Sequence, residues 1–308
     1  MEFVHVPVLL SECMSLLNIR PDGIYVDGTA GGGGHSRAIA NRLDSGGKIV
    51  SIDRDPDAIN VLKERMKHYK NSTVVQGNFS NMKDILENLS IHKVDGILLD
   101  LGVSSYQLDN SDRGFSFHND SYLDMRMSKE GLSAADLVNN LPKQEIFRIL
   151  KDYGEEDFAM SIANNIVKER AISKIYTTNR LVDIIKKSVP AAVRRDGHPA
   201  RKTFQALRIA VNSELDNLKK FLFDSLSMLN EGGRIVIITF HSLEDRIVKN
   251  VFADWSKGCT CPSDFPVCIC GNKPKVKIIN KRGTVPSQDE IDRNIRSRSS
   301  KVRCCEKL

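Results

Sequence analysis

The stretch Ile24-Tyr-Val-Asp-Gly-Thr-Ala-Gly-Gly-Gly-Gly-His-Ser36, followed by Lys48-Ile-Val-Ser-Ile-Asp53, decides how this chain is read. Ile24, Tyr25 and Val26 form a short apolar run with strand character. Asp27 and the glycines then turn the chain into a helix expected from about Ser36 to Leu43. A second strand, Lys48 to Ile52, ends on Asp53, twenty residues after Gly33. In such a strand, glycine turn, helix, strand, acid unit, small residues let a ligand approach the backbone at a helix N-terminus. The terminal carboxylate is placed to hold a ribose diol.

The unit therefore predicts an adenosine cofactor. The dinucleotide fingerprint needs glycines at i, i+2 and i+5, and every register fails: from Gly31 the third position is Ser36, from Gly32 it is Arg37, and from Gly28 the second is Ala30. An acid just before the glycines, Asp27, suits a ligand bearing an amine, and S-adenosylmethionine is such a ligand. A nicotinamide oxidoreductase is correspondingly disfavoured.

Further strands are expected at Ser72 to Gln76 and Val94 to Asp100, and helices from Asp55-Pro56 to about Tyr69 and from Met82 to Leu89. Ser11 is the expected cap of a short helix ending at Leu17. Alternation of this kind means a parallel sheet with right-handed crossovers. From Tyr106 to about Phe223 it stops, and helical spacing appears at Ala134 to Asn139, Lys143 to Tyr153, Phe158 to Arg170, Thr178 to Ser188 and Thr203 to Leu229. A fifth strand, Gly232 to Phe240, precedes a helix from Leu243 to Trp255, and Val276 to Asn280 and Lys301 to Cys305 supply a final pair. The expected architecture is α/β, with residues 1–105 and 224–308 forming one Rossmann-like domain and residues 106–223 a helical insertion after its fourth strand.

Composition narrows the function classes. With 41% apolar and 27% charged residues the chain fits a globular protein. The longest aliphatic run, Ile235 to Ile238, is too short to span a bilayer, and the first residues lack a signal-peptide pattern, so a cytoplasmic location without a membrane is expected. Between Gly271 and Leu308 eleven Lys and Arg face four Asp and Glu, while the net charge of the whole chain is +6. A basic tail on a near-neutral body suits a polyanionic partner, or simply solvates the protein. The seven cysteines are odd in number and mostly late in the chain, unlike a secreted disulfide framework. Cys259, Cys261, Cys268 and Cys270 form two C-x-C pairs, enough thiolates for a structural zinc, although C-x-C pairs chelate one ion less readily and reduced thiols in a surface loop are the alternative.

Several clusters could carry chemistry. Asp100 closes the fourth strand, where ligands of doubly wound sheets bind. A carboxylate there can accept N–H bonds from an exocyclic amine, localise its lone pair and orient it for attack on a sulfonium methyl. Alternatively, Asp100 caps a turn. Arg113-Gly-Phe-Ser-Phe-His118 and Leu123-Asp-Met-Arg-Met127 combine aromatic and cationic groups: Phe115, Phe117 and His118 for stacking, Arg113 and Arg126 for phosphates, or aromatics plugging a junction. Arg201, Lys202 and Arg208, on a helix expected to be capped by a threonine, offer a second phosphate surface, or an ordinary solvated face. His241 is read as facing the substrate, with Ser242 as the following helix cap.

Together these segments resemble the bacterial small-subunit ribosomal RNA methyltransferase H family over nearly the whole chain. The resemblance rests on His5-x-Pro-Val-Leu-Leu10, Asp27-Gly-Thr-x-Gly-x-Gly-Gly-His-Ser36, Ile52-Asp-Arg-Asp55, Leu98-Leu-Asp-Leu-Gly-Val-Ser-Ser105, Arg113-Gly-Phe-Ser-Phe117, Leu123-Asp-Met-Arg-Met127, Tyr153-Gly-Glu-Glu156, Thr203-Phe-Gln-Ala206 and Ser242-Leu-Glu-Asp-Arg-Ile-Val-Lys249. It implies a seven-strand class I methyltransferase sheet and methylation of N4 of a cytidine in the decoding region of 16S RNA, within the small ribosomal subunit. It also implies S-adenosylmethionine contacts at Gly33, Gly34, His35, Asp53, Phe79, Asp100 and Gln107. The cysteine loop departs from the shorter or cysteine-free versions of other members. Methylation of another amine, in DNA or protein, and an RNA-binding assembly factor remain the alternatives. Oligomeric state stays open, a homodimer included.

Overall fold

The computed structural model describes residues 7–191, 198–258, 261, 267 and 269–308. The chain divides into two compact units, residues 1–102 with 216–308, and residues 103–215.

In the first unit the described residues form one seven-stranded sheet in the order β3-β2-β1-β4-β5-β7-β6. Its strands are β1 (Ile24–Asp27), β2 (Lys48–Asp53), β3 (Ser72–Gln76), β4 (Val94–Asp100), β5 (Leu229–Thr239), β6 (Val276–Ile278) and β7 (Lys301–Lys307). The first five pair in parallel, and β7 runs antiparallel to both β5 and β6. This is the Rossmann-like sheet expected from the sequence, with the order reversing between β1 and β4. Helices α1 (Leu10–Leu17), α2 (Gly34–Ala40), α3 (Pro56–Met66) and α4 (Met82–Asn88) accompany the first strands. The two sheet faces bury separate clusters, one built on Val26, Ile52, Leu99 and Ile237 and the other on Tyr25, Ile49, Leu98 and Val236. Burial on both faces explains the aliphatic runs Ile97–Leu99 in β4 and Ile235–Ile238 in β5.

The second unit is helical. It holds α5 (Ser105–Asp109), α6 (Ala134–Asn140), α7 (Lys143–Gly154), α8 (Ala159–Ile172), α9 (Thr178–Ser188) and α10 (Arg201–Asn212) around a core that includes Leu123, Leu150, Ile162, Ile185 and Phe204. Several boundaries differ from the sequence reading. The helix expected over Thr203 to Leu229 is two helices, α10 and α11 (Glu214–Met228), broken at Ser213 in the left-handed region, φ 50°. Asn212 explains the break: buried, it accepts from the Met127 amide at 2.9 Å and donates to the Met125 carbonyl at 2.7 Å. The Arg208–Glu214 pair, bonded at 2.8 and 2.9 Å, then spans the corner. The division falls at 102/103 rather than 105/106 and, because Leu218, Phe221 and Leu222 of α11 join the sheet core, at 215/216 rather than 223/224.

The caps differ as well. Helix α1 starts after Leu9, not at Ser11. Helix α10 follows Ala200 without a side-chain cap, Thr203 being buried inside it. Helix α12 (Ser242–Trp255) is capped by His241 instead of Ser242. A short α13 (Gln288–Arg293) precedes β7.

Candidate functional site

The glycine turn leaves β1 at its C-terminal end, and neighbouring strand ends hold it. The Gly28 amide donates to the Leu98 carbonyl and the Ala30 amide to the Ile52 carbonyl, both at 2.9 Å. The Gly31 amide donates to Asp53 Oδ2 at 2.7 Å, the Asp55 amide to Asp53 Oδ1 at 2.8 Å, and Arg65 Nη1 to the Gly32 carbonyl at 2.7 Å. Three glycines have steric reasons. Gly33 takes φ 82° to cap α2, a conformation costly for other residues. A Cβ on Gly34 would meet Pro7 Cγ at 2.3 Å, and one on Gly28 would meet Leu99 Cδ2 at 2.5 Å. Helix α2 therefore begins at Gly34, two residues earlier than expected.

Four polar side chains converge on this turn. Asp27 is 1% exposed; its Oδ2 accepts from Ser36 Oγ at 2.7 Å, and Ser51 Oγ donates to Ser36 Oγ at 2.9 Å. Burial raises its pKa to about 6 against those hydrogen bonds. Loss of solvation likewise raises the half-buried Asp53 to about 6. Asp100 is pushed well up by burial first, then by repulsion from Asp27 and Glu244. Its amide donates to Thr29 Oγ1 at 2.6 Å, and its Oδ1 is buried with no hydrogen-bond partner among the described residues. Buried polar atoms are rarely left so. His35 Nδ1 lies 3.8 Å from Asp100 Oδ2, and its Nε2 is 3.0 Å from the Val8 carbonyl, which assigns the proton to Nε2 in the neutral ring. Phe79 follows β3, its ring edge-on to Phe221 at 6.0 Å. Three acids around one turn, each holding its proton more tightly than usual, favour a cationic ligand, whose charge would bring those pKa values back down.

Gly33, Gly34, His35, Asp53, Phe79 and Asp100 thus lie in the first unit, around one turn. Gln107 belongs to the second unit, where its Oε1 accepts from the Ser104 amide at 3.0 Å in a capping box. Sequence reasoning missed Thr29, the Ser36–Ser51 hydroxyl pair and the Val8 carbonyl; the motif Pro7-Val-Leu9 was the one available signal for the last.

His241 is corrected. Its side chain is 8% exposed, Nδ1 accepts weakly from the Glu244 amide at 3.5 Å, and Nε2 sits 3.1 Å from Glu244 Oε1 without hydrogen-bond alignment. Both ring nitrogens turn toward α12, because the ring serves as the helix cap.

In the second unit the Arg113–Met127 loop also departs from expectation. Arg113 is buried, and its Nη2 donates to the Arg126 and Met127 carbonyls, each at 2.9 Å. Phe115 is 7% exposed within the core. Arg126 forks onto Asp124 at 2.6 and 3.1 Å. These three groups build the loop, and Arg113 and Phe115 face inward, away from the RNA-contacting positions expected of them. Phe117 is half-buried, its ring stacked on His198 at 4.4 Å and 14°, with His118 4.5 Å away. Burial lowers the His198 pKa, and His118 and Lys186 add to the shift. Arg201 and Lys202 are exposed on α10, and Lys202 Nζ donates to Asp157 at 3.0 Å. Cys259 and Cys268 lie outside the described residues; Cys261 is half-buried and Cys270 exposed. No described helix is long and apolar enough to cross a membrane.

A protein from Clostridium botulinum (strain 657 / Type Ba4), named Ribosomal RNA small subunit methyltransferase H, is 54% identical over 309 residues covering 100% of each chain. The protein of the same name from strain Kyoto / Type A2 matches to the same 54% over the same span. Among solved structures, an rRNA methylase from Streptococcus thermophilus aligns with a TM-score of 0.44 at 10% identity, over 100% of this chain and 99% of that one. The family described as the MraW methylase family matches residues 2–308, and with full-length relatives at this identity the chain belongs to that family.

Proposed function

We propose that this protein transfers a methyl group from S-adenosylmethionine to N4 of a cytidine in 16S RNA, in the decoding region of the small ribosomal subunit, in the bacterial cytoplasm. The observation that carries the reading is Asp100 Oδ1: a buried acceptor, lacking a partner among the described residues, at the carboxyl end of β4. The glycine turn suits the cofactor, because it lies at the carboxyl ends of the parallel strands and its acids suit a cation. Gly33, Gly34 and His35 would line the methionine end. Asp53 retains lone pairs beside its two amide bonds to accept a ribose diol, and Phe79 would lie against adenine.

When bound, S-adenosylmethionine supplies an electrophilic sulfonium methyl. The chain's part is orientation and proton handling. Asp100, fixed through Thr29, accepts an N–H of the target amine and so keeps its lone pair available. A carboxylate of raised pKa is also suited to taking the proton that the methylated amine must lose. No cysteine stands at the end of β4, which argues for direct displacement over a covalent base adduct. The target base must leave its stack to reach such a site. Phe117, His118 and His198 are aromatic surface for RNA in the second unit, and Arg201, Lys202 and the basic tail are its phosphate contacts.

The test is digestion and mass spectrometry of 16S RNA from cells lacking the protein. Loss of one methyl on one cytidine, restored by wild type and not by Asp100→Ala, supports the assignment. An unchanged methylation map refutes it.

A further inference from the structure

The Val8–Leu9 peptide group is gripped at both ends. Its carbonyl faces His35 Nε2 at 3.0 Å, and its amide donates to Glu290 Oε1 at 2.7 Å, across 281 positions of sequence. Leu9 sits in the left-handed region, φ 51°, with its side chain fully buried. A leucine rarely adopts that backbone unless its surroundings over-determine it. The same segment places Pro7 against the glycine turn, close enough that Gly34 tolerates no Cβ. Glu290 is at the third position of α13, where its amide donates to Ser287 Oγ at 3.3 Å. In an ordinary capping box its carboxylate would return to the Ser287 amide; here it reaches Leu9.

We infer that Glu290 is a positioning residue for the methyl-donor site, clamping the Val8–Leu9 peptide so that His35 is held toward Asp100 and Pro7 against the glycine turn. The inference rests on reading that turn as the S-adenosylmethionine site. Bonds at the two ends of one peptide polarise it, so each strengthens the other. Releasing the amide loosens the carbonyl, and the imidazole loses the bond that sets its Nε2–H tautomer.

The test uses the full chain and its Glu290→Ala and Glu290→Gln variants. S-adenosylhomocysteine and S-adenosylmethionine affinities are measured by calorimetry, and the His35 ring nitrogens are observed by NMR without cofactor. Glu290→Ala is expected to bind both about five- to tenfold more weakly, from the loss of one charge-assisted hydrogen bond, and to lose the fixed His35 tautomer. Glu290→Gln keeps an acceptor and is expected to restore both. If Glu290→Ala does not fold, Glu290→Asp, one methylene short, takes its place. Unchanged affinity and tautomer in the Ala variant overturn the clamp, as does a Gln variant as impaired as Ala. A wild type that binds neither compound refutes the cofactor reading instead, and the NMR signal still decides the clamp.

Discussion

The glycine turn in the first unit and the Arg113–Met127 loop in the helical unit are both short irregular segments dense in polar side chains, five glycines shaping the one and Gly114 alone the other. They differ in where the polar atoms go. In the loop, Arg113 donates to two carbonyls, Arg126 to Asp124, and Phe115 sits in the core. In the turn, Asp27 and Asp100 are held at raised pKa and Asp100 Oδ1 meets no partner among the described residues. The loop spends its cations and Phe115 on its own fold, whereas beside the turn a carboxylate oxygen that can accept from a ligand has no partner among the described residues.

The contrast can be broken experimentally. The largest effect is expected from Asp100→Asn, which should reduce methylation of 16S RNA at least about a hundredfold, as loss of a positioned acid–base group typically does, while the thermal midpoint holds. Arg113→Ala should do the opposite: it strands buried carbonyls and costs about 2–3 kcal/mol in denaturant unfolding, with cofactor affinity unchanged. Weaker RNA binding at unchanged stability would show that Arg113 reaches phosphate after all.

Asp27 sharpens the comparison through pH. Its folded pKa of about 6 lies above the ordinary 3.8, so the folded state holds the proton more tightly than the unfolded one. Its contribution is full below about pH 4 and is lost as pH rises through 6, at most on the order of 3 kcal/mol. Asp27→Asn should flatten that part of the stability profile of the ligand-free protein; an unchanged slope would remove Asp27 as its source. The smallest effect is expected at Lys202, an exposed partner of Asp157. Lys202→Ala should leave the unfolding midpoint unchanged and lower the salt slope of RNA binding by about one; no change in slope would remove Lys202 as a phosphate contact.

The central parallel strands were legible because burial on both faces calls for aliphatic runs, as Ile97–Leu99 in β4 and Ile235–Ile238 in β5. The glycine turn was legible because glycines with no room for a side chain cannot be disguised: Gly34 has Pro7 against it and Gly28 has Leu99. Caps were less legible. Ser242 and Ser11 are the better capping residues by type, yet His241 and Leu9 hold those positions because distant or buried partners, Glu244 and Glu290, complete them. The break at Ser213 carried no Gly or Pro signal, since its cause is Asn212 bonding a loop some eighty-five residues earlier in the chain.

By itself, then, the sequence determined what depends on local periodicity and side-chain volume: the α/β alternation, the glycine turn, the acids at the strand ends and the helical character of the insertion. Tertiary structure alone decided which polar groups are consumed and which are left over. Arg113 and Asp100 are equally available as far as the sequence goes; one turns inward to two carbonyls and the other keeps an oxygen without a partner among the described residues. That difference depends on what packs around each group, because the cost of burying charge and the bonds that offset it come from residues far away in the chain.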